Sequence, residues 1–200
     1  MKINLGIVSI ALSLVTILSL SGCGDSSSSS GIGIDLTGTN LTGTVATGEG
    51  ASAEISFVGA QGNSLSGHSI SSGVYTIDAT SLTQPIMVRA TLDRDGSILY
   101  SFAESSTGTV NITPLTSFVV DQAAQASGLS GGAAQLFQTY ETVNTSNITT
   151  QIDTQTDELD TVLATQMGED NVASFDHFNS EFTADHTGYD VLLDNLDIVI

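Results

Sequence analysis

The sequence predicts a mainly β fold with an α-helical addition: a small antiparallel β-sandwich over residues 36–112, then a helical acidic region over 113–200. Three observations carry that expectation. Between Leu36 and Ile112 apolar residues alternate with polar ones in short runs, each closed by Gly, Asn, Asp or Ser. At Thr113-Pro114-Leu115 the apolar spacing lengthens to that of a helix. Ahead of both, an apolar run and a serine string flank the one cysteine of the chain, setting residues 1–22 and 23–35 apart from the folded body.

The 200 residues suffice for one ordinary domain, or for two small ones with a linker, and they carry three Lys and Arg against 22 Asp and Glu, a formal net charge of −19. Lys2 lies in the leader, so the body holds only Arg89 and Arg94 as permanent cations. Nucleic acid is excluded as a partner, because almost no Lys or Arg is present to displace counterions from phosphates. Contact with anionic lipid headgroups through a basic patch is excluded for the same reason. Strong acidity favours solubility in salt and a loose attraction of divalent cations.

The first element is the leader. Leu5 to Leu20 is apolar or small throughout and follows a short segment with Lys2 as its positive charge, the pattern of a secretory signal peptide over residues 1–22. Leu20-Ser21-Gly22-Cys23 resembles the lipobox of bacterial lipoproteins, a branched apolar residue and two small ones before the cysteine. The resemblance implies that Leu20, Ser21 and Gly22 are read by the signal peptidase and that Cys23 carries diacylglycerol and a further acyl chain such as palmitate. Each buried methylene contributes about 0.8 kcal/mol, so two or three chains hold a protein to a bilayer where one does so only marginally. Gly24, where inner-membrane lipoproteins of enteric bacteria carry Asp, implies export to the outer membrane. The expected location is the cell envelope, facing the periplasm or the outside. With Cys23 so used, no cysteine remains for a disulfide, haem attachment or a thiolate metal site.

Ser26 to Ser30, flanked by Gly24, Gly31 and Gly33, reads as a Ser/Gly-rich tether within 23–35. The strands follow: Thr42 to Ala46, Ala53 to Val58, Ser72 to Ile77, Pro85 to Leu92 and Ser97 to Ala103. Their inward-facing set is expected to be Ile55, Phe57, Val74 or Tyr75, Ile77, Ile86, Val88, Leu99 and Phe102.

Gly43-Thr-Val, Gly50-Ala-Ser-Ala-Glu-Ile-Ser-Phe, Ser72-Gly-Val-Tyr-Thr-Ile and Pro85-Ile-Met-Val-Arg-Ala together resemble the carboxypeptidase regulatory-like modules of bacterial surface proteins. That resemblance covers about seventy residues and implies a transthyretin-like or immunoglobulin-like sandwich. It implies no catalysis, since those modules lack an active site. The acidic turn before the G-x-Y strand of the family is replaced here by Ser69-Ile-Ser-Ser, so the resemblance does not carry over any ion that relatives hold there.

Thr113 before Pro114 marks a helix start, with a hydroxyl as N-cap and a proline whose missing N–H costs nothing in the first turn. Leu115, Phe118, Val119, Ala123 and Ala126 are expected on one face, and Gly128 as the stop. A second helix is expected over Ala133 to Val143 with Leu136, Phe137 and Tyr140 inward. A third is expected over Thr149 to Met167 with Ile152, Leu159, Val162 and Leu163 inward, despite threonines that disfavour it. Asn111-Ile-Thr-Pro-Leu-Thr and the tail from Phe175 resemble a layout of bacterial lipoproteins in which a sandwich, a V-T-P-L-T helix start and an F-x-A-x-x-T-G-x-D-x-x-L-D stretch follow one another. In that layout a strand follows the last leucine, so the apolar run to Ile200 is expected either to close on an edge strand or to continue in further residues.

Candidate chemistry is sparse. Gly128-Leu-Ser130-Gly-Gly132 satisfies G-x-S-x-G, but the elbow needs a preceding strand and a helix is expected there. Asp93-Arg-Asp95-Gly96 resembles part of a calcium loop, yet Thr91 and Phe102 stand where ligands belong, so a D-G hairpin turn is expected. His177, Asp185, His186 and Asp190 form a weak metal set whose spacing fits no closed pattern, and a His–carboxylate hydrogen bond or simple exposure is preferred. Asp185 or Thr187 is expected to cap a short helix starting near Tyr189. His68 is expected in a loop, and four tyrosines without tryptophan supply little for sugar stacking. The sequence thus points to a membrane-anchored envelope lipoprotein presenting a non-catalytic sandwich to a protein or glycan, without a resident cofactor. The alternative is a metal-dependent binder or enzyme with its site in 175–197.

Overall fold

The computed structural model describes residues 40–167 and 175–195. The signal peptide, Leu20 to Cys23, the tether and the last apolar residues from Leu196 lie outside the described residues. The described residues fall in one compact unit.

Seven strands make two sheets. They are β1 (Asn40–Thr44), β2 (Ala53–Gly59), β3 (Ser64–His68), β4 (Val74–Asp78), β5 (Ile86–Leu92), β6 (Ile98–Ala103) and β7 (Gly108–Thr109). The smaller sheet runs β4-β1-β7 and the larger β3-β2-β5-β6. All pairings are antiparallel except β1 with β7. Helices follow as α1 (Pro114–Ala126), α2 (Gly132–Thr139), α3 (Thr145–Met167) and α4 (Tyr189–Asn195), with a 3-10 turn at Tyr140–Thr142. The fold is a small β-sandwich followed by a helical region.

Strand periodicity decides where each face goes. Along β5, Ile86, Val88 and Ala90 point between the sheets, joining Leu41, Ile55, Phe57, Tyr75, Leu99 and Ile112 in one core. Met87 points the other way, into a second core with α1, α2 and α3. The strand is therefore apolar almost without interruption, because it is covered on both faces. Tyr75, not Val74, turns inward: Tyr75 is buried and Val74 is 48 % exposed. The reason is Gly43, its cross-strand partner, where a Cβ would stand 2.0 Å from the carbonyl oxygen of Val110. The absent side chain lets the Tyr75 hydroxyl reach that same oxygen and lets its ring approach Phe57 of the facing sheet, 6.0 Å between centroids.

β3 is a strand the alternation did not disclose, since Ser64–His68 has Leu65 as its one large apolar residue. His68 consequently ends a strand instead of sitting in a loop, with Nε2 3.0 Å from Asp93 Oδ2. The Asp93–Ser97 connection is wider than a two-residue turn, although Gly96 takes the expected positive φ of 74°.

α1 begins as read, with Thr113 and Thr116 exchanging side chain-to-backbone hydrogen bonds in a capping box and Pro114 in the first turn. Its buried stripe is Leu115, Val119, Val120, Ala123 and Ala124. Phe118 is 37 % exposed and Ala126 is exposed, because the face turned to β6 is rotated toward Val120 and Ala124. In α2 and the turn after it, Leu136 and Tyr140 are buried, while Phe137 is half-buried under the guanidinium of Arg89, 4.7 Å from ring centroid. α3 buries Ile148, Ile152, Leu159 and Leu163 and leaves Val162, at the margin of that stripe, 58 % exposed. Its threonines are accommodated by donation to carbonyls four residues back, as Thr149, Thr150, Thr154, Thr156, Thr161 and Thr165 all do.

Candidate functional site

α3 and the segment 175–179 face the β6–β7 edge across an open cleft of about 750 Å³. Its walls carry the carboxyls of Glu104, Asp153, Asp157, Asp160 and Asp176, with apolar surface from Phe175 and Phe178 and no Lys or Arg. The cleft is thus a strongly negative concavity with an aromatic margin.

Behind one wall lies a buried aromatic cluster. Phe175 stacks on Tyr189 at 3.6 Å and 10°, and Phe182 meets Tyr189 edge-on at 5.1 Å. His177, 1 % exposed, is held on both nitrogens: Nδ1 lies 2.8 Å from the Tyr189 hydroxyl and Nε2 lies 2.8 Å from Asp160 Oδ1. The tautomer protonated on Nε2 satisfies all three groups, with Tyr189 donating to Nδ1 and Nε2–H donating to Asp160. Burial pushes the Tyr189 hydroxyl well above the ordinary phenol range, against a smaller opposing effect of its hydrogen bond with Thr113.

Asp160, His177 and Tyr189 have the residue types of a proton relay but not its access. The Tyr189 hydroxyl is enclosed by the ring stack and both imidazole nitrogens are engaged, so a substrate in the cleft meets only the half-exposed Asp160. The arrangement clasps α3, the 175–182 segment and α4 together.

The weak metal candidates part company. His177 belongs to this clasp. Asp185 accepts the N–H and hydroxyl of Thr187, an Asx-type turn, so it does not cap α4 as expected; the Thr187 carbonyl accepts the Asp190 N–H instead. His186 and Asp190 come together, and with them Asp194, which the sequence reading did not single out. One ligand atom from each of His186, Asp190 and Asp194 lies within 4.8 Å of the others. The signal for Asp194 is its four-residue step from Asp190, which puts the two carboxylates on one face of α4, with His186 just ahead of that helix.

His186 Nδ1 lies 2.8 Å from Asp194 Oδ2, and this hydrogen bond, with the charge of Asp194, raises the imidazole pKa above its ordinary value. Desolvation opposes the rise, and the charges of Asp190 and Glu49 add smaller contributions to it. His186 takes a positive φ of 62°, a conformation more common for His than for most side chains.

Ser130 is exposed between α1 and α2 with a helix before it, which removes the strand-to-turn geometry of a nucleophile elbow. Among the described residues no helix is long and apolar enough to cross a membrane. No family model, curated protein or solved structure matches the chain.

Proposed function

We propose that the chain is a membrane-anchored lipoprotein of the cell envelope, with an outer-membrane destination, whose body is a non-catalytic recognition module for a protein or glycan. The observation that carries this reading is Leu20-Ser21-Gly22-Cys23 directly after an apolar run and directly before a serine string. A lipid-bearing cysteine ahead of a segment of Ser/Gly composition, the composition of linkers that span about 5–6 Å times the square root of their length, would let the body meet a partner near the bilayer.

Two features of the body support recognition over turnover. The Asp160–His177–Tyr189 clasp is closed to solvent at its imidazole and phenol, and Ser130 lacks the setting that activates a serine. The acidic cleft along α3 favours a partner bearing cationic or hydroxyl groups, and its Phe175 and Phe178 margin supplies contact area.

Cys23→Ala tests the anchor. With an alkyne-bearing palmitate as label, the wild-type chain is expected in the membrane fraction and labelled, and Cys23→Ala unlabelled and either released or retained as uncleaved precursor. An unlabelled wild-type chain in the soluble fraction overturns the proposal.

A further inference from the structure

Asp190 sits in the first turn of α4 with no exposed surface, and its two carboxylate oxygens have different fates. Oδ2 accepts the His186 N–H at 2.7 Å, while Oδ1 has no partner. A buried carboxylate with an empty oxygen is costly unless a cation or donor meets it. The body's two arginines are committed elsewhere: Arg89 to Phe137 and Ser56, Arg94 to Glu49 and Asp95. The groups that converge on Asp190 are instead two metal-binding side chains, the imidazole of His186 in the segment ahead of α4 and the carboxylate of Asp194 one turn further along the helix.

We infer that His186, Asp190 and Asp194 form a site for a first-row divalent cation of the zinc class, with the remaining coordination left to water. The donor set selects the metal: an imidazole nitrogen with two carboxylates suits zinc and its neighbours, whereas calcium and magnesium seek oxygen alone. The geometry needs little change. Tetrahedral zinc with bonds of about 2.0–2.1 Å sets its ligand atoms roughly 3.3 Å apart, so the 2.8 Å His186–Asp194 contact opens slightly and the others close from within 4.8 Å. The cation takes the place of the proton between His186 and Asp194, which leaves with the solvent. The backbone of the β1–β2 loop walls the site, for a Cβ on Gly48 would stand 2.7 Å from Asp194 Oδ1. A cation there would fasten the segment before α4 to two turns of that helix, beside the loop.

The full chain, stripped with EDTA and exchanged into chelator-free buffer, is titrated with zinc chloride by calorimetry, with calcium and magnesium chlorides as comparators. One zinc per chain is expected, with calcium and magnesium far weaker. His186→Gln and Asp194→Asn should each weaken zinc about tenfold or more. Both side chains are partly exposed, 69 % and 29 %, so folding is retained and is checked by circular dichroism. His68→Gln, removing an imidazole that faces Asp93 and is none of the three ligands, should leave zinc affinity unchanged. Absence of one-to-one zinc binding, equal responses to zinc and calcium, unaltered affinity in His186→Gln, or an equal loss in His68→Gln overturns the inference.

Discussion

The Tyr189 hydroxyl and Nδ1 of His177 lie 2.8 Å apart inside a ring cluster that neither can leave without opening α4 from α3. Since the imidazole is 1 % exposed, its hydrogen bonds are exchanged with protein and not with water. Tyr189→Phe keeps the stack on Phe175 and leaves Nδ1 unpaired, so a loss of about 1–3 kcal/mol is expected. Asp160→Asn should cost less, because Asp160 is half-exposed and water can replace part of what it gives. Urea unfolding of the two variants measures the difference, and equal losses would mean that the clasp is not a buried one.

Gly132 makes a second prediction. It opens α2 at a positive φ of 59°, and a Cβ there would stand 1.9 Å from Asp121 Oδ1, the atom that accepts the Ala133 N–H at 2.9 Å. Gly132→Ala therefore combines backbone strain with loss of that hydrogen bond, at about 2–3 kcal/mol. Gly96→Ala has the strain without the clash, since nothing lies within 4 Å of its Cβ position, and should cost about 1–2 kcal/mol. Thermal unfolding of the pair reads the contribution of Asp121.

The pH dependence follows from two surface turns. Asp78 accepts the hydroxyl and N–H of Thr80, and Asp95 accepts the N–H of Ser97, which holds both carboxyls below the usual carboxylate value of 3.8. A carboxyl whose pKa is lower in the folded state contributes stability that is whole above its unfolded pKa and lost as pH falls through its folded one. Stability should thus decline below about pH 4, with part of the slope removed in the Asp78→Asn, Asp95→Asn double variant. Carboxyl carbon NMR titration checks each group, and midpoints at or above 3.8 would refute the expectation.

Local physics made much of this legible from sequence. The capping box at Thr113, the alternation of β2 and β5, and the inward set Ile55, Phe57, Ile86, Val88 and Leu99 depend on neighbours in the chain and are readable from it; Phe102, expected among them, instead faces the helices beside its cross-strand partner Met87. What escaped depends on distant partners. Alternation alone does not separate Tyr75 from Val74, because the space for the tyrosine ring comes from Gly43 on another strand. Phe118 and Val162 sit at helical spacings that a periodicity count accepts, and only the placement of the packing layers leaves them outside. His177 was visible as a candidate ligand, but its partner Asp160 lies across residues 161–176, on a different element. Asp194 lies one turn beyond Asp190, the last carboxylate that the sequence groups with His186, and only the pitch of α4 brings it back to the imidazole.

β5, covered by the facing sheet on one side and by α1 and α2 on the other, has a consequence for dissection of the gene. Cutting the chain after Ile112 would strip the cover from Met87 and Phe102 and turn an interior wall into an adhesive surface. Such a fragment should self-associate more than the intact chain does, so evolutionary shuffling of this sandwich requires its helices to travel with it.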